Sequence, residues 1–135
     1  MAWYEGTIPN TSAGVLLSIL DSILSQNQYW SSYDAQAGTN VKVYKNDCAE
    51  KNSLFYLWVD NNYTGYAYVK LWEGWDAQNH TGVGASTSQG RYNFQAGGYG
   101  IALNDTRLVF GARASGTCFY AGQPIRIVES LNMPY

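Results

Sequence analysis

Between residues 15 and 24, Val15, Leu16, Ile19, Leu20, Ile23 and Leu24 recur at intervals of four with neighbours one apart. That spacing traces one stripe along an α-helix and fits no β-strand. Ser18, Asp21, Ser22 and Ser25 fall on the opposite side. Ahead of the stripe stands Pro9-Asn10-Thr11-Ser12, whose side chains can accept from the orphan N–H groups of a first turn. The pattern predicts a helix over about residues 12–26. A free helix of this length is marginal in water, whereas burial contributes roughly 1.5–3 kcal/mol for each such side chain. The stripe therefore requires a sheet to lie on.

From residue 28 onward the apolar period becomes two. Strands are expected over about 28–73 and 98–128, broken at Gly, Asn and Ser. Strands that follow one another through short turns pair antiparallel, because nothing between them could serve as a crossover helix. The expected fold class is α+β: one N-terminal amphipathic helix packed on an antiparallel, hairpin-rich β-sheet, with a sandwich-like form among the options. The length of 135 residues fits a single domain spanning 1–135.

Three hairpins can be written in register. Pairing Asp60 with Tyr66 sets Phe55, Leu57 and Val59 against Leu71, Val69 and Ala67. A type I′ turn at Asn104-Asp105 pairs Leu103 with Thr106, Ile101 with Leu108 and Tyr99 with Phe110, and leaves Arg107 and Arg113 pointing away. A turn at Ser115-Gly116 sets Ala112 against Phe119. Residues 74–97 differ from the rest. Gly74, Gly82, Gly84, Gly90 and Gly97 alternate there with Ser, Thr, Gln and Asn, and a Gly-rich surface excursion is expected.

Charged residues make up only 13% of the chain, about half the ~25% of an average domain. Tyr, Trp and small polar residues must therefore cover much of the surface, a makeup suited to contact with protein or sugar. The net charge is −2 and the eight basic residues are scattered, so nucleic-acid binding is not expected. No apolar stretch approaches the ~20 residues that span a bilayer, so no membrane association is expected. Met1-Ala2-Trp3-Tyr4-Glu5 lacks a basic n-region followed by an apolar stretch, so no signal peptide is expected, and synthesis in a cytoplasm is the expectation. Cys48 and Cys118 are too few for a disulfide scaffold. Reduced thiols suit that origin, and a bridge formed after cell lysis is the alternative.

Glu73, Asp76 and His80 are the one grouping where a metal or an acid–base pair could be argued. Their spacing is not that of a zinc motif, and no second histidine completes a site. A turn with a solvated His is the plainer reading. No Gly-x-Ser-x-Gly elbow accompanies His80. Gly97-Gly98-Tyr99-Gly100 lacks the Lys-Ser/Thr and helix of a phosphate loop. The four Asn-x-Ser/Thr sequons, beginning at Asn10, Asn62, Asn79 and Asn104, fall on expected turns or caps, where such residues belong anyway. No catalytic residue, metal ligand or cofactor is assigned.

The most informative feature is the aromatic stripe Tyr56, Trp58, Tyr66, Tyr68 and Trp72, continued by Trp75. Two readings compete. It forms a second core layer, covered by another strand or by the N-terminal segment with Trp3 and Tyr4, or it is an intermolecular or sugar-binding face.

The order of features resembles that of small virion structural proteins of tailed bacteriophages, of the type encoded among tail genes. The likeness rests on the opening Trp3-Tyr4-Glu5-Gly6, the Pro-led helix of Leu and Ile, and Trp72-Glu73-Gly74-Trp75-Asp76-Ala77 with His80-Thr81-Gly82. Leu103-Asn104-Asp105-Thr106-Arg107 and Tyr120-Ala121-Gly122 followed by Arg126 complete it. The resemblance implies a non-enzymatic assembly component of a virion, in a tail, connector or capsid surface. Its partners would be copies of itself and other virion proteins. A carbohydrate-binding module for host attachment, using the Trp/Tyr face, is the alternative.

Overall fold

The computed structural model describes residues 2–47, 56–122 and 126–132. Their elements in chain order are β1 (Ala2–Ile8), α1 (Val15–Leu24), β2 (Trp30–Gly38), β3 (Val41–Asn46), β4 (Tyr56–Asp60) and β5 (Tyr66–Asp76). β6 (Thr81–Ser86), β7 (Gly90–Asn93), β8 (Gly97–Leu103), β9 (Arg107–Ala112), β10 (Thr117–Gly122) and β11 (Arg126–Asn132) follow. Two antiparallel sheets result. One runs β2-β3-β4-β5, with β6 and β7 sharing the far edge of β5, β7 along Tyr66–Val69 and β6 along Trp72–Asp76. The other runs β1-β8-β9-β10-β11, so the first strand, Ala2–Ile8, pairs with Gly97–Leu103, six strands and the helix later. The fold is α+β and sheet-rich, with one short helix.

A single buried cluster joins the helix to both sheets. Leu16, Leu17, Leu20, Ile23 and Leu24 of α1 meet Leu57, Val59, Val69 and Leu71 of one sheet and Ile101, Leu103, Leu108 and Phe110 of the other. Val15 and Ile19, expected in the stripe, are only partly buried, and Leu17 is inside. Asp21 does not face open solvent either. It is half-buried, accepts the Tyr44 hydroxyl at 2.6 Å and pairs with Lys42, both on β3.

The helix is shorter than expected, and its start is held differently. Gly14 occupies the N-cap in the left-handed region (φ 87°), and no side chain of the Pro9–Ser12 segment caps the turn. Asn61, from the β4–β5 loop, does so instead. Its Oδ1 accepts the Leu16 N–H at 2.8 Å and its carbonyl accepts the Gly14 N–H at 2.9 Å.

All three hairpins keep the inward face that alternation requires, yet each is paired two residues away from the expected register. Leu57 faces Leu71 and Val59 faces Val69, with Asp60 opposite Tyr68. Leu103 faces Leu108, and Ile101 faces Phe110. Ala112 faces Thr117, and Phe119 faces Phe110. The loops are wider than expected, and residues within them make other bonds. Asn61 holds the helix. Asn104 Oδ1 accepts the N–H of Thr106 and Arg107 at 3.0 and 2.7 Å, closing a wider turn without the positive φ of type I′. Gly116, at φ 67°, returns its N–H to the Ala112 carbonyl. A shift of two preserves the side-chain face, whereas a shift of one would invert it.

The segment 74–97 is not one surface excursion. Gly74 to Asp76 complete β5, and β6 and β7 occupy its edge. Tyr92 and Phe94 are fully buried. Tyr92 sets its ring edge-on to Phe110 and Phe119, at 5.5 and 5.0 Å, and so joins the two sheets through aromatic contact. The stretch from Val83 to Ser86 is exposed.

Candidate functional site

In β4 and β5 alternation sends Leu57, Val59, Ala67, Val69 and Leu71 to the core, so Tyr56, Trp58, Tyr66, Tyr68, Lys70 and Trp72 face outward. The five aromatic residues expected to share a face do share one, and all are half-buried. The N-terminal segment does not cover them, because β1 belongs to the other sheet.

The rings pack against one another and against cations. Tyr63, from the β4–β5 loop, stacks on Tyr66 at 4.7 Å, and Tyr68 meets both edge-on at 5.4 and 5.7 Å. The Arg91 guanidinium lies 3.8 Å from the centre of the Tyr66 ring, and the Lys70 ammonium lies 4.5 Å from that of Trp72. Lys45 sits 5.6 and 5.8 Å from Tyr33 and Tyr56, which touch edge to face at 5.1 Å. A hydrogen bond to Asp47, opposed by burial, favours the charged ammonium of Lys45 and raises its pKa. Each cation–ring contact contributes ~0.5–1 kcal/mol at an exposed site. Trp72 lies flat on β6: a Cβ at Gly82 would run into its indole. Sequence reading missed Tyr33, Tyr63, Lys45, Lys70 and Arg91. The alternation of Lys70 with Tyr68 and Trp72 was a signal for one of them; Arg91 lay in the segment read as loop.

Trp75 continues that face but is buried at its end, edge-on to Trp72 with ring centres 6.3 Å apart. A register irregularity between Trp72 and Gly74 keeps Trp75 on the side of Trp72, and its indole N–H donates to Asp34 Oδ2 at 2.9 Å. His80 Nδ1 meets the same oxygen at 2.7 Å, and the Gln36 N–H donates to Oδ1 at 2.9 Å. Asp34 is 5% exposed. Burial alone would raise its pKa, but the hydrogen bonds from His80, Trp75 and Gln36 outweigh it and hold the carboxyl below its ordinary value. Asp34 lies on β2, with β3 and β4 between it and β5. The far end of the β5–β6 hairpin is thus tied back across the sheet, above Val43, which is fully buried outside the central cluster. His80 takes a left-handed φ of 58° to make this reach.

Glu73, Asp76 and His80 therefore have separate duties. Asp76 caps its own turn, accepting the N–H groups of Gln78 and Asn79 and the Asn79 side chain. These bonds, led by the Asn79 backbone, lower its pKa. Glu73 is exposed beside Gly84. His80 stands exposed in the turn after β5, as expected, and its Nδ1 also meets Asp34. Among the described residues no three His, Cys, Asp or Glu side chains are grouped to hold a metal, and no hydrogen bond joins His80 to a hydroxyl or thiol. Cys118 is buried on β10, and Cys48 lies outside the described residues. Among the described residues, no helix is long and apolar enough to cross a membrane.

Comparison with family models, with curated proteins and with solved structures gave no match.

Proposed function

We propose that this chain is a non-enzymatic structural component of a bacteriophage particle, in a tail, connector or capsid surface, acting through protein–protein contacts with copies of itself and other virion proteins. The phage setting rests on the sequence resemblance. The observation that carries the contact function is the outer face of β4 and β5, a field of five half-exposed Tyr and Trp rings with Lys45, Lys70 and Arg91 set among them. Aromatic residues and Arg dominate the energetics of protein interfaces because they bring large, rigid contact area at small entropic cost. Stacking among Tyr63, Tyr66 and Arg91 already occupies faces of these rings, which suits a broad protein contact better than the stacking of single sugar rings.

The experiment compares folding with assembly. Trp58→Ser and Tyr68→Ser are made in the full chain, melting is measured on the isolated protein, and incorporation into particles is measured in infected cells. Incorporation is expected to fall while the isolated domain stays folded. Unchanged incorporation for both variants, or absence of the wild-type chain from purified particles, would overturn the reading.

A further inference from the structure

On the outer face of the other sheet three glycines, Gly98, Gly100 and Gly111, stand together and leave a patch without side chains. Trp3 and Glu5 of β1, Gly98 and Gly100 of β8, Val109 and Gly111 of β9, and Arg113 just past the end of β9 line a groove of about 350 Å³, at the small end of the ~300–1,000 Å³ range of ligand sites. Trp3 is 62% exposed, yet it is fixed. Its indole N–H donates to Glu5 Oε1 at 2.9 Å. Its six-membered ring lies on Gly100, where a Cβ would come within 2.5 Å of it. The glycines thus do two things: Gly100 seats the indole, and Gly98 and Gly111 leave an open floor beside it.

We infer that this groove is a saccharide-binding site, with Trp3 as the stacking platform and Glu5 and Arg113 as the hydroxyl-recognising pair. A pyranose presents an apolar C–H face and a rim of hydroxyls, each both donor and acceptor. The exposed indole face takes the first by dispersion and hydrophobic contact. A carboxylate that only accepts and a guanidinium that only donates take the second. The two lie on opposite sides of the glycine floor: Glu5, on β1, faces Gly100, and the N–H of Arg113, just past β9, donates to the Gly98 carbonyl of β8. The Arg113 guanidinium forms no ion pair among the described residues. One acid opposes one base across the groove, so charge selects for neutral sugars over carboxylated or sulfated ones. The volume admits a ring or two, too little for a protein segment with its side chains. This site is independent of the aromatic face on the other sheet.

The test probes the full chain with maltotetraose, cellotetraose and chitotetraose by calorimetry, and with a printed array of neutral and anionic glycans. At least one neutral glycan is expected to bind at millimolar concentration or below. Trp3→Ala, and Gly98→Leu, which fills the floor, should each weaken it by about tenfold or more. Gly98 tolerates the change because its Cβ would meet only the Gly6 carbonyl oxygen, at 4.0 Å. If either variant unfolds, Glu5→Gln, isosteric and exposed, decides by the same loss. Binding of anionic glycans alone, binding that survives these substitutions, or no neutral glycan bound would each overturn the assignment.

Discussion

Asn61 and Leu16, separated by 45 positions, are joined by a 2.8 Å hydrogen bond from the Leu16 N–H to the Asn61 side-chain oxygen, and through it the β4–β5 loop starts the helix. Asn61 is fully buried, so removing its side chain strands an N–H that water does not reach. Asn61→Ala should therefore destabilise the protein by about 1–3 kcal/mol. Asn10→Ala, at an exposed position within the segment expected to cap the helix, should stay within about 0.5 kcal/mol. Urea denaturation of the two variants checks this; equal losses would mean that Asn61 is not the cap.

The phase of the helix has a similar contrast. Leu20→Ala and Leu17→Ala should each cost ~2–5 kcal/mol through lost burial and a cavity, and Ser22→Ala should be close to neutral. Leu17 is the discriminating position, since it lies outside the simple stripe yet is buried. A neutral Leu17→Ala melting curve would contradict the observed packing.

At Asp34 the prediction is one of pH. Its carboxyl is held below the ordinary value, so the folded state binds its proton less readily than the unfolded chain does. The contribution to stability is fully present above the unfolded pKa, ~3.9, and is lost as pH falls through the lower folded value. The stability difference between wild type and Asp34→Asn should hold from neutral pH to about pH 5 and shrink in stronger acid. Trp75→Phe, which removes one donor from the buried carboxylate, should cost about 1–3 kcal/mol near neutrality. Chemical denaturation across a pH series measures both. A difference that grows toward acid would have the wrong sign.

Gly82 and Trp72 supply a local test of the aromatic face. Gly82→Ala should lift the Trp72 indole from β6, at a cost of about 1–3 kcal/mol from overpacking. The near-ultraviolet dichroism of the Trp region should change with it. An unaltered spectrum at wild-type stability would show that the ring has room to spare.

Hydrogen exchange should divide the Gly-rich segment. The backbone of Gly90–Asn93 pairs with β5 and carries the buried Tyr92, so its amides that bond to β5 should be protected in the isolated protein. Those of Gln89 and Gln95, exposed outside any strand, should exchange fast. Uniformly fast exchange from 84 to 96 would return the whole segment to a surface excursion.

Along β4, β5, β8 and β9 the sequence by itself determined which residues face inward, and in α1 it placed Leu16, Leu20, Ile23 and Leu24 though not Leu17. Alternation along β4, β5, β8 and β9 and the four-residue spacing of α1 are local periods, and the hydrophobic effect acts on them wherever the chain lies. It therefore showed the helix, the hairpins and the common outer face of Tyr56, Trp58, Tyr66, Tyr68 and Trp72. Only the tertiary structure decided the register, because shifts of two keep every face intact and differ only in how the loops are occupied. The same holds for contacts between distant positions: Asn61 under the helix, β1 beside β8, and His80 on Asp34, 46 residues away. Trp3 and Arg113 could not be read as neighbours of one groove, since what brings them together is the pairing of β1, β8 and β9. No local period encodes that pairing; it follows from where two sheets and one helix can bury their apolar faces at the same time.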